Sequence, residues 1–215
     1  MSRESTTRRL LVIACGALAR ELMTVIRANG WAHVQVTCLP PHLHNRPEHI
    51  PQAVRECIHA NRRAFEHIFV AYGDCGTGGG LDRVLEEEGV ERLPGAHCYA
   101  FFTGTDSFAR LADEEPGTFY LTDFLVHQFD RLVMRGLGLD RHPQLLPVYF
   151  QHYRRVVYLA QRHDADLEAK AARAAERLGL PLEVKYTGLA PLARALRPMA
   201  FRSETDGTSH HGVLA

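Results

Sequence analysis

His67-Ile68-Phe69-Val70-Ala71-Tyr72, then Gly73-Asp74-Cys75-Gly76-Thr77-Gly78-Gly79-Gly80, then Leu81 to Glu88 closed by Gly89, reads as one strand–loop–helix unit. The first six positions are almost all apolar with no alternation, as in a strand covered on both faces. The glycine-rich stretch breaks the strand, and Gly89 supplies a helix stop. A doubly buried strand leaving through a short loop into a helix is the unit from which parallel sheets with crossover helices are built.

The same pattern extends in both directions. Arg9–Ala14 reads as a first strand, and its helix runs to about Ala28 before Asn29-Gly30. Val34–Cys38 alternates as a second strand and stops at Leu39-Pro40-Pro41, where proline cannot continue a ladder. The segment Glu48–Arg62 is helical, with Ile50, Val54, Cys57 and Ile58 on its apolar face, and Cys57 is read as core. Val90–Leu93 is a weaker fourth strand. From Tyr99 to about His152 the periodicity turns helical, first through Phe101, Phe102, Phe108 and Leu111. Thr118 then caps a predicted helix from Phe119 to Arg135, with Leu121, Phe124, Leu125, Phe129 and Leu132 as its stripe. Strands return at Arg155–Leu159 and Leu182–Tyr186, around an alanine-rich helix at Asp164–Leu178. The expectation is a single Rossmann-like α/β domain over residues 9–200. Its mostly parallel sheet is interrupted between the fourth and fifth strands by a helical insertion at about 99–152, and disordered ends lie at 1–8 and 201–215.

Composition bounds the function. Lys plus Arg is 25 and Asp plus Glu is 25, so the formal net charge is zero and the chain lacks the attraction to phosphates that drives nucleic-acid binding. No apolar run approaches the ~18–20 residues of a bilayer span. Arg8-Arg9 before Leu10–Ala14 and Cys15 has the outline of an export signal, but the apolar run is shorter than the ~7–15 residues of a secretory core. An odd count of 5 cysteines without such a signal points to a reducing cytoplasm and free thiols.

Those cysteines are placed alike. Cys15, Cys38 and Cys75 stand at or just after the carboxyl end of a predicted strand, and Cys98 follows the fourth strand closely. In a parallel sheet these ends share one edge, where open α/β folds bind ligands. Thiolate and imidazole suit zinc, and His44 and His97 add nitrogen donors to the same rim. Four thiolates would also serve an iron–sulfur cluster. No C-x₂-C spacing is present, so buried structural cysteines are the competing reading. The loop Gly76, Thr77, Gly78, Gly79 and Gly80, lying before a helix, suits an anionic group of a substrate or cofactor. It matches neither the dinucleotide fingerprint nor the P-loop, and a plain tight turn competes with it. Asp123 and His127, four apart on the expected helix, form a candidate acid/base pair for which a surface contact is the alternative.

Several strings taken together carry a resemblance: Ala14-Cys15-Gly16, Leu43-His44-Asn45, Tyr72-Gly73-Asp74-Cys75-Gly76-Thr77-Gly78-Gly79, Gly95-Ala96-His97-Cys98-Tyr99, Leu121-Thr122-Asp123-Phe124-Leu125, Leu137-Gly138-Leu139-Asp140 and Tyr158-Leu159-Ala160-Gln161. Over about residues 9–190 the chain resembles the prokaryotic family filed as domain of unknown function 1638, with Ala100 standing where an acidic residue is expected. The resemblance implies a place near corrinoid-dependent methyl transfer and one-carbon metabolism, with a corrinoid or methyltransferase protein as partner. The corrinoid-ligand motif Asp-x-His-x-x-Gly is absent, so cobalamin is not expected to be held in the usual way. Three functions stay open: a cytoplasmic zinc or iron–sulfur protein, a metal-free transferase binding a nucleotide or S-adenosylmethionine, and a non-catalytic partner in a methyltransferase complex.

Overall fold

Leu10–Cys15 offers no polar side chain to either face, and in the structure it forms β1, buried at every position. The computed structural model describes residues 9–205, with side chains to residue 200. Around β1 lie β2 (Val34–Leu39), β3 (His67–Ala71) and β4 (Glu91–Arg92), giving a parallel sheet in the order β2-β1-β3-β4. The connections run through α1 (Ala19–Ala28), α2 (Ile50–Asn61) and α3 (Gly80–Glu88). The chain moves from β1 to one side for β2 and then to the other side for β3, so the strand order reverses between β1 and β3. That reversal opens a crevice at the carboxyl ends. Cys15 ends β1 and Cys75 follows β3, so these two cysteines flank the crevice.

Beyond β4 the chain forms α4 (Ala100–Thr103) and α5 (Thr105–Glu114), and then departs from expectation. Thr118–Thr122, predicted as the start of a long helix, is a strand, β5. Thr122 then caps a short helix α6 (Asp123–His127), its hydroxyl accepting from the Leu125 N–H at 3.3 Å. A wide, π-type turn follows at Asp130–Met134, and α7 covers Leu146–Phe150. The misreading has a physical cause. A five-residue strand runs into a helix without a break, and Leu121 falls in step with the helical spacing of Phe124, Leu125 and Phe129.

β5 also changes the topology. It pairs in parallel with β6 (Arg155–Ala160), and β6 pairs with β7 (Leu182–Tyr186) beyond α8 (Ala165–Leu178). The strands after the insertion therefore do not resume the first sheet. They build a second, three-stranded one. The insertion is not purely helical, because it supplies that sheet's first strand.

The parallel α/β class read from the sequence is what the structure shows. Each sheet organises its own core, β1 and β3 in one and β6 in the other. The last helix, α9 (Ala190–Thr205), leaves the second sheet and packs on α1 and α4. Its Leu192 and Leu196 are fully buried in the core of the first sheet. The termini expected to be disordered fall, apart from this helix, at residues 1–8 and 206–215, outside the described residues. Among the described residues no helix is long and apolar enough to cross a membrane.

Candidate metal centre

The centre is assembled by two loops that meet backbone to backbone. After β3, Gly73 passes so close to the loop after β4 that an added Cβ would lie 2.7 Å from the His97 carbonyl carbon and 2.9 Å from the Cys98 nitrogen. Only glycine permits that approach. The two loops are then tied by N–H to carbonyl bonds, Asp74 to Gly95 at 3.1 Å and Cys75 to Ala96 at 2.9 Å. Cys75 and Cys98 are thereby held side by side, at 6% and 7% exposure. Cys75 has φ +50°, the only left-handed residue other than glycine among the described residues. Holding a residue there costs about 1–3 kcal/mol, a kind of strain that gathers at functional sites.

His44 completes the group from the 3₁₀ segment Pro41–Asn45 that follows β2. Ligand atoms of His44, Cys75 and Cys98 all lie within 4.8 Å of one another. Tetrahedral zinc bonded to two sulfurs and a nitrogen would hold its donors about 3.5–3.8 Å apart, so closing the set needs shifts of about 1 Å. The imidazole is already oriented for this. Its Nδ1 lies 3.2 Å from the Pro41 carbonyl, which can only accept a hydrogen bond, and 3.6 Å from Cys15 Sγ. Nε2 is then the nitrogen left to bind a metal, and it is buried with no hydrogen-bond partner. A metal-bound histidine commonly gives its other N–H to a backbone carbonyl in this way.

The electrostatics match a site that wants a cation. The Cys98 thiol donates to Cys75, and with His44 and His97 nearby this outweighs burial and holds Cys75 at about 4. Cys98, as donor to Cys75 and buried, is pushed well up. Burial would depress His44, but Cys15 and Cys75 raise it to about 10. Burial lowers His97. Tyr72, stacked on His44 with centroids 6.3 Å apart, has a buried hydroxyl without a hydrogen-bond partner.

The residues singled out from sequence thus fall into distinct places. Cys75, Cys98 and His44 come together, and Cys15 lies behind His44, 1% exposed, its sulfur accepting from the Ala17 N–H at 3.3 Å. His97 stands beside Cys98, Nδ1 to Sγ 3.5 Å, and stacks on Tyr99 at 4.1 Å. Cys38 is exposed and outside the cluster. A strand end fixes the edge of the sheet but not the face, and on the outer strand β2 this side chain points to solvent. Cys57 is half-buried against the core.

The glycine loop departs from its expected role. Gly76, Gly78 and Gly79 hold positive φ, but their turn wraps around Asp74. The Asp74 carboxylate accepts from the Thr77 hydroxyl at 2.5 Å, the Gly79 N–H at 2.9 Å and the Gly78 N–H at 3.2 Å. Burial opposes ionisation of Asp74, yet these bonds hold its pKa below the usual range. The anion that the loop cradles is therefore its own side chain, and Gly80 begins α3.

Asp123 and His127 are not paired either. His127 is exposed, whereas Asp123 is 3% exposed and fully engaged. Its Oδ1 accepts from the Tyr158 hydroxyl at 2.7 Å and the Gln161 N–H at 3.0 Å, and Arg162 lies 3.9 Å from Oδ2. The helix assumed for the pair is a single short segment that Asp123 begins, so its carboxylate turns back onto β6. Sequence reading missed Tyr72 and Asp74, the first a strand-end aromatic and the second an Asp followed by Gly-Thr-Gly-Gly, a turn signal in its own right.

The cluster opens on a cavity of about 380 Å³ between the two sheets. His44, Cys75, His97 and Cys98 form one wall, and Phe119, Phe124, Leu125, Leu132 and Val133 form the facing one. A family model described as a protein of unknown function, DUF1638, matches residues 38–196, which include His44, Cys75 and Cys98, the strands β3 and β4 and the whole second sheet. No curated protein matches the chain. With well over half of its length matched, the chain belongs to the DUF1638 family of proteins of unknown function.

Proposed function

We propose that this protein is a zinc enzyme in which His44, Cys75 and Cys98 hold the metal and leave one coordination position open to the cavity. The observation that carries the reading is the convergence of two buried thiols and an orphaned imidazole nitrogen on the wall of a cavity. Structural zinc sites are closed by four protein ligands, whereas catalytic ones keep three and expose the fourth position. Two thiolates and one imidazole favour zinc over an iron–sulfur cluster, which would call on four thiolates, and Cys38 stands apart. Zinc in such a site lowers the pKa of a bound acceptor and holds it deprotonated at neutral pH. The reaction we assign to it, following what the family resemblance implies, is methyl transfer from a methyl-corrinoid carried by a partner protein to the sulfur of a thiol acceptor: a sulfur–carbon bond would form as the cobalt–carbon bond breaks, its electron pair staying on the partner's cobalt.

Around the metal this chain's residues have separate tasks. The Pro41 carbonyl and Cys15 orient His44, the bonds between the two loops fix the spacing of Cys75 and Cys98, and apolar side chains line much of the cavity. The nucleotide-binding alternative loses its main support, because the N–H groups of Gly78 and Gly79 are already taken by Asp74.

Metal analysis of protein purified without oxygen tests the reading. About one zinc per chain is expected in the wild type, with loss of the metal in Cys75→Ser and Cys98→Ser and retention in Cys38→Ser. Wild-type protein that takes up no zinc even after anaerobic reconstitution overturns it.

A further inference from the structure

The cavity beside the candidate metal centre has a chemical bias of its own. Among the described residues, no Asp, Glu, Lys or Arg lines it. Its polar groups away from the thiol and imidazole wall are neutral, the Asn45 amide and the Thr122 and Tyr153 hydroxyls among them. A carboxylate or phosphate carried into such a space would find no Lys or Arg side chain to pair with, and the charge of a metal at the centre would already be balanced by the Cys75 and Cys98 thiolates, so its lost hydration would be poorly repaid. The nearby loop that could have received an anion is filled by Asp74. Opposite the donors the wall is hydrocarbon and aromatic ring. It is drawn from Phe119 of β5, from Phe124 and Leu125 of α6 and from the π-type turn, where Val133 is 6% exposed. At about 380 Å³ the space is at the lower end of the ~300–1,000 Å³ typical of small-molecule sites.

We infer that the acceptor is a neutral thiol with an apolar body, its sulfur reaching the metal and its hydrocarbon part lying against Phe124, Leu125 and Leu132. This rests on the zinc reading above and names the substrate class for that site, replacing the anionic substrate expected from the sequence. Binding forms a sulfur–metal bond and breaks the S–H bond, and the proton passes to the buffer. No oxidant or reductant is involved. Burial of the thiol's carbon skeleton supplies the selectivity, since each buried methylene is worth about 0.8 kcal/mol.

Cobalt(II) loaded anaerobically into the full chain separates this inference from the reading beneath it, because sulfur-to-cobalt absorption reports first the site and then the added thiol. The bands are expected on loading and are expected to change again with 2-phenylethanethiol. That second change should come at concentrations at least about tenfold below those needed with 3-mercaptopropionate, which carries a carboxylate. Leu132→Arg should reverse the preference, and Leu132→Ala, a milder change to the same wall, should weaken only the aromatic thiol. If the cobalt bands never form, both the metal centre and this inference fall. If they form, yet the charged thiol binds as tightly as the aromatic one or Leu132→Ala leaves the ratio unchanged, the metal centre stands and the neutral-thiol assignment is overturned.

Discussion

The carboxyl ends of β3 and β5 look alike in sequence and behave oppositely in the structure. Each strand leads into a helix, β3 through a loop and β5 directly, and each places an ionisable residue where it leaves the sheet, Cys75 after β3 and Asp123 after β5. Around Asp123 the polar atoms are satisfied by Tyr158, the Gln161 N–H and Arg162, and its own N–H bonds the Gln161 side chain at 2.8 Å. Around Cys75 they are not. His44 Nε2 and the Tyr72 hydroxyl are buried without partners, and the Cys75 backbone is strained. Most buried polar groups in folded proteins find partners, so two orphans packed beside a strained residue mark a place where local stability is low and a ligand would be accommodated at little further cost. The buried carboxylate, in contrast, is a fastener between β5 and β6.

That contrast can be tested by substitutions that separate binding from stability. The largest effect is expected at the metal: His44→Ala or Cys98→Ser should weaken zinc binding by at least about 100-fold, more than the loss of an outer partner would, while Asp123→Asn leaves affinity unchanged. Competition with a chromophoric chelator measures this, and equal losses in all three variants would dissolve the distinction. Next comes Gly73→Ala. Its methyl would meet rigid backbone at 2.7 Å, so a loss of about 3 kcal/mol in urea unfolding is expected, accompanied by weaker metal binding. Asp123→Asn should cost about 2 kcal/mol by unpicking a buried charge-assisted network, with metal content intact.

The smallest effect concerns Glu21 on α1, 5% exposed, with Oε2 lacking a partner. Burial raises its pKa, and the Asp123 charge adds to this. The native state therefore keeps a proton on Glu21 at pH values where the unfolded chain has released it. Its contribution to stability is lost as pH rises from the ordinary carboxyl range through the native value. Glu21→Gln should accordingly raise stability by about 1 kcal/mol at pH 7.5, and the gain should vanish towards pH 4, where both states are protonated. A gain that is the same at both pH values would show that the carboxylate is not the cause.

Legibility in the sequence followed burial. β1 and β3 are short, nearly continuous apolar runs, each followed by turn and helix signals, and that context let them be read as strands. α8 could be read from its Asp164 cap, whose side chain accepts from Asp166 and Leu167, and from Gly179 at its end. β5 could not, because local periodicity does not record which partner strand will claim a segment. Only pairing with β6 makes Thr118–Thr122 extended. At the metal centre, the expectation that thiols gather at one edge depended only on the parallel strands of the first sheet, and those were legible. His44 was among the donors read from the sequence, but excluding Cys38 and choosing His44 over His97 depended on side-chain direction and on a 3₁₀ turn, which strand positions do not encode. The glycine loop misled for a related reason. Glycine content announces that backbone donors are exposed to something, and Asp74, one residue before Cys75, turned out to be that something.

The path of α9 has a consequence for how the protein is made. Leu192 and Leu196 seal a core whose first strand begins at Leu10, and the whole second sheet is synthesised between them. As the nascent chain leaves the ribosome, the thiol-bearing half must wait, incompletely covered, until its far-downstream lid emerges. Completion of the core beneath the thiol-bearing loops therefore depends on the last helix to be made.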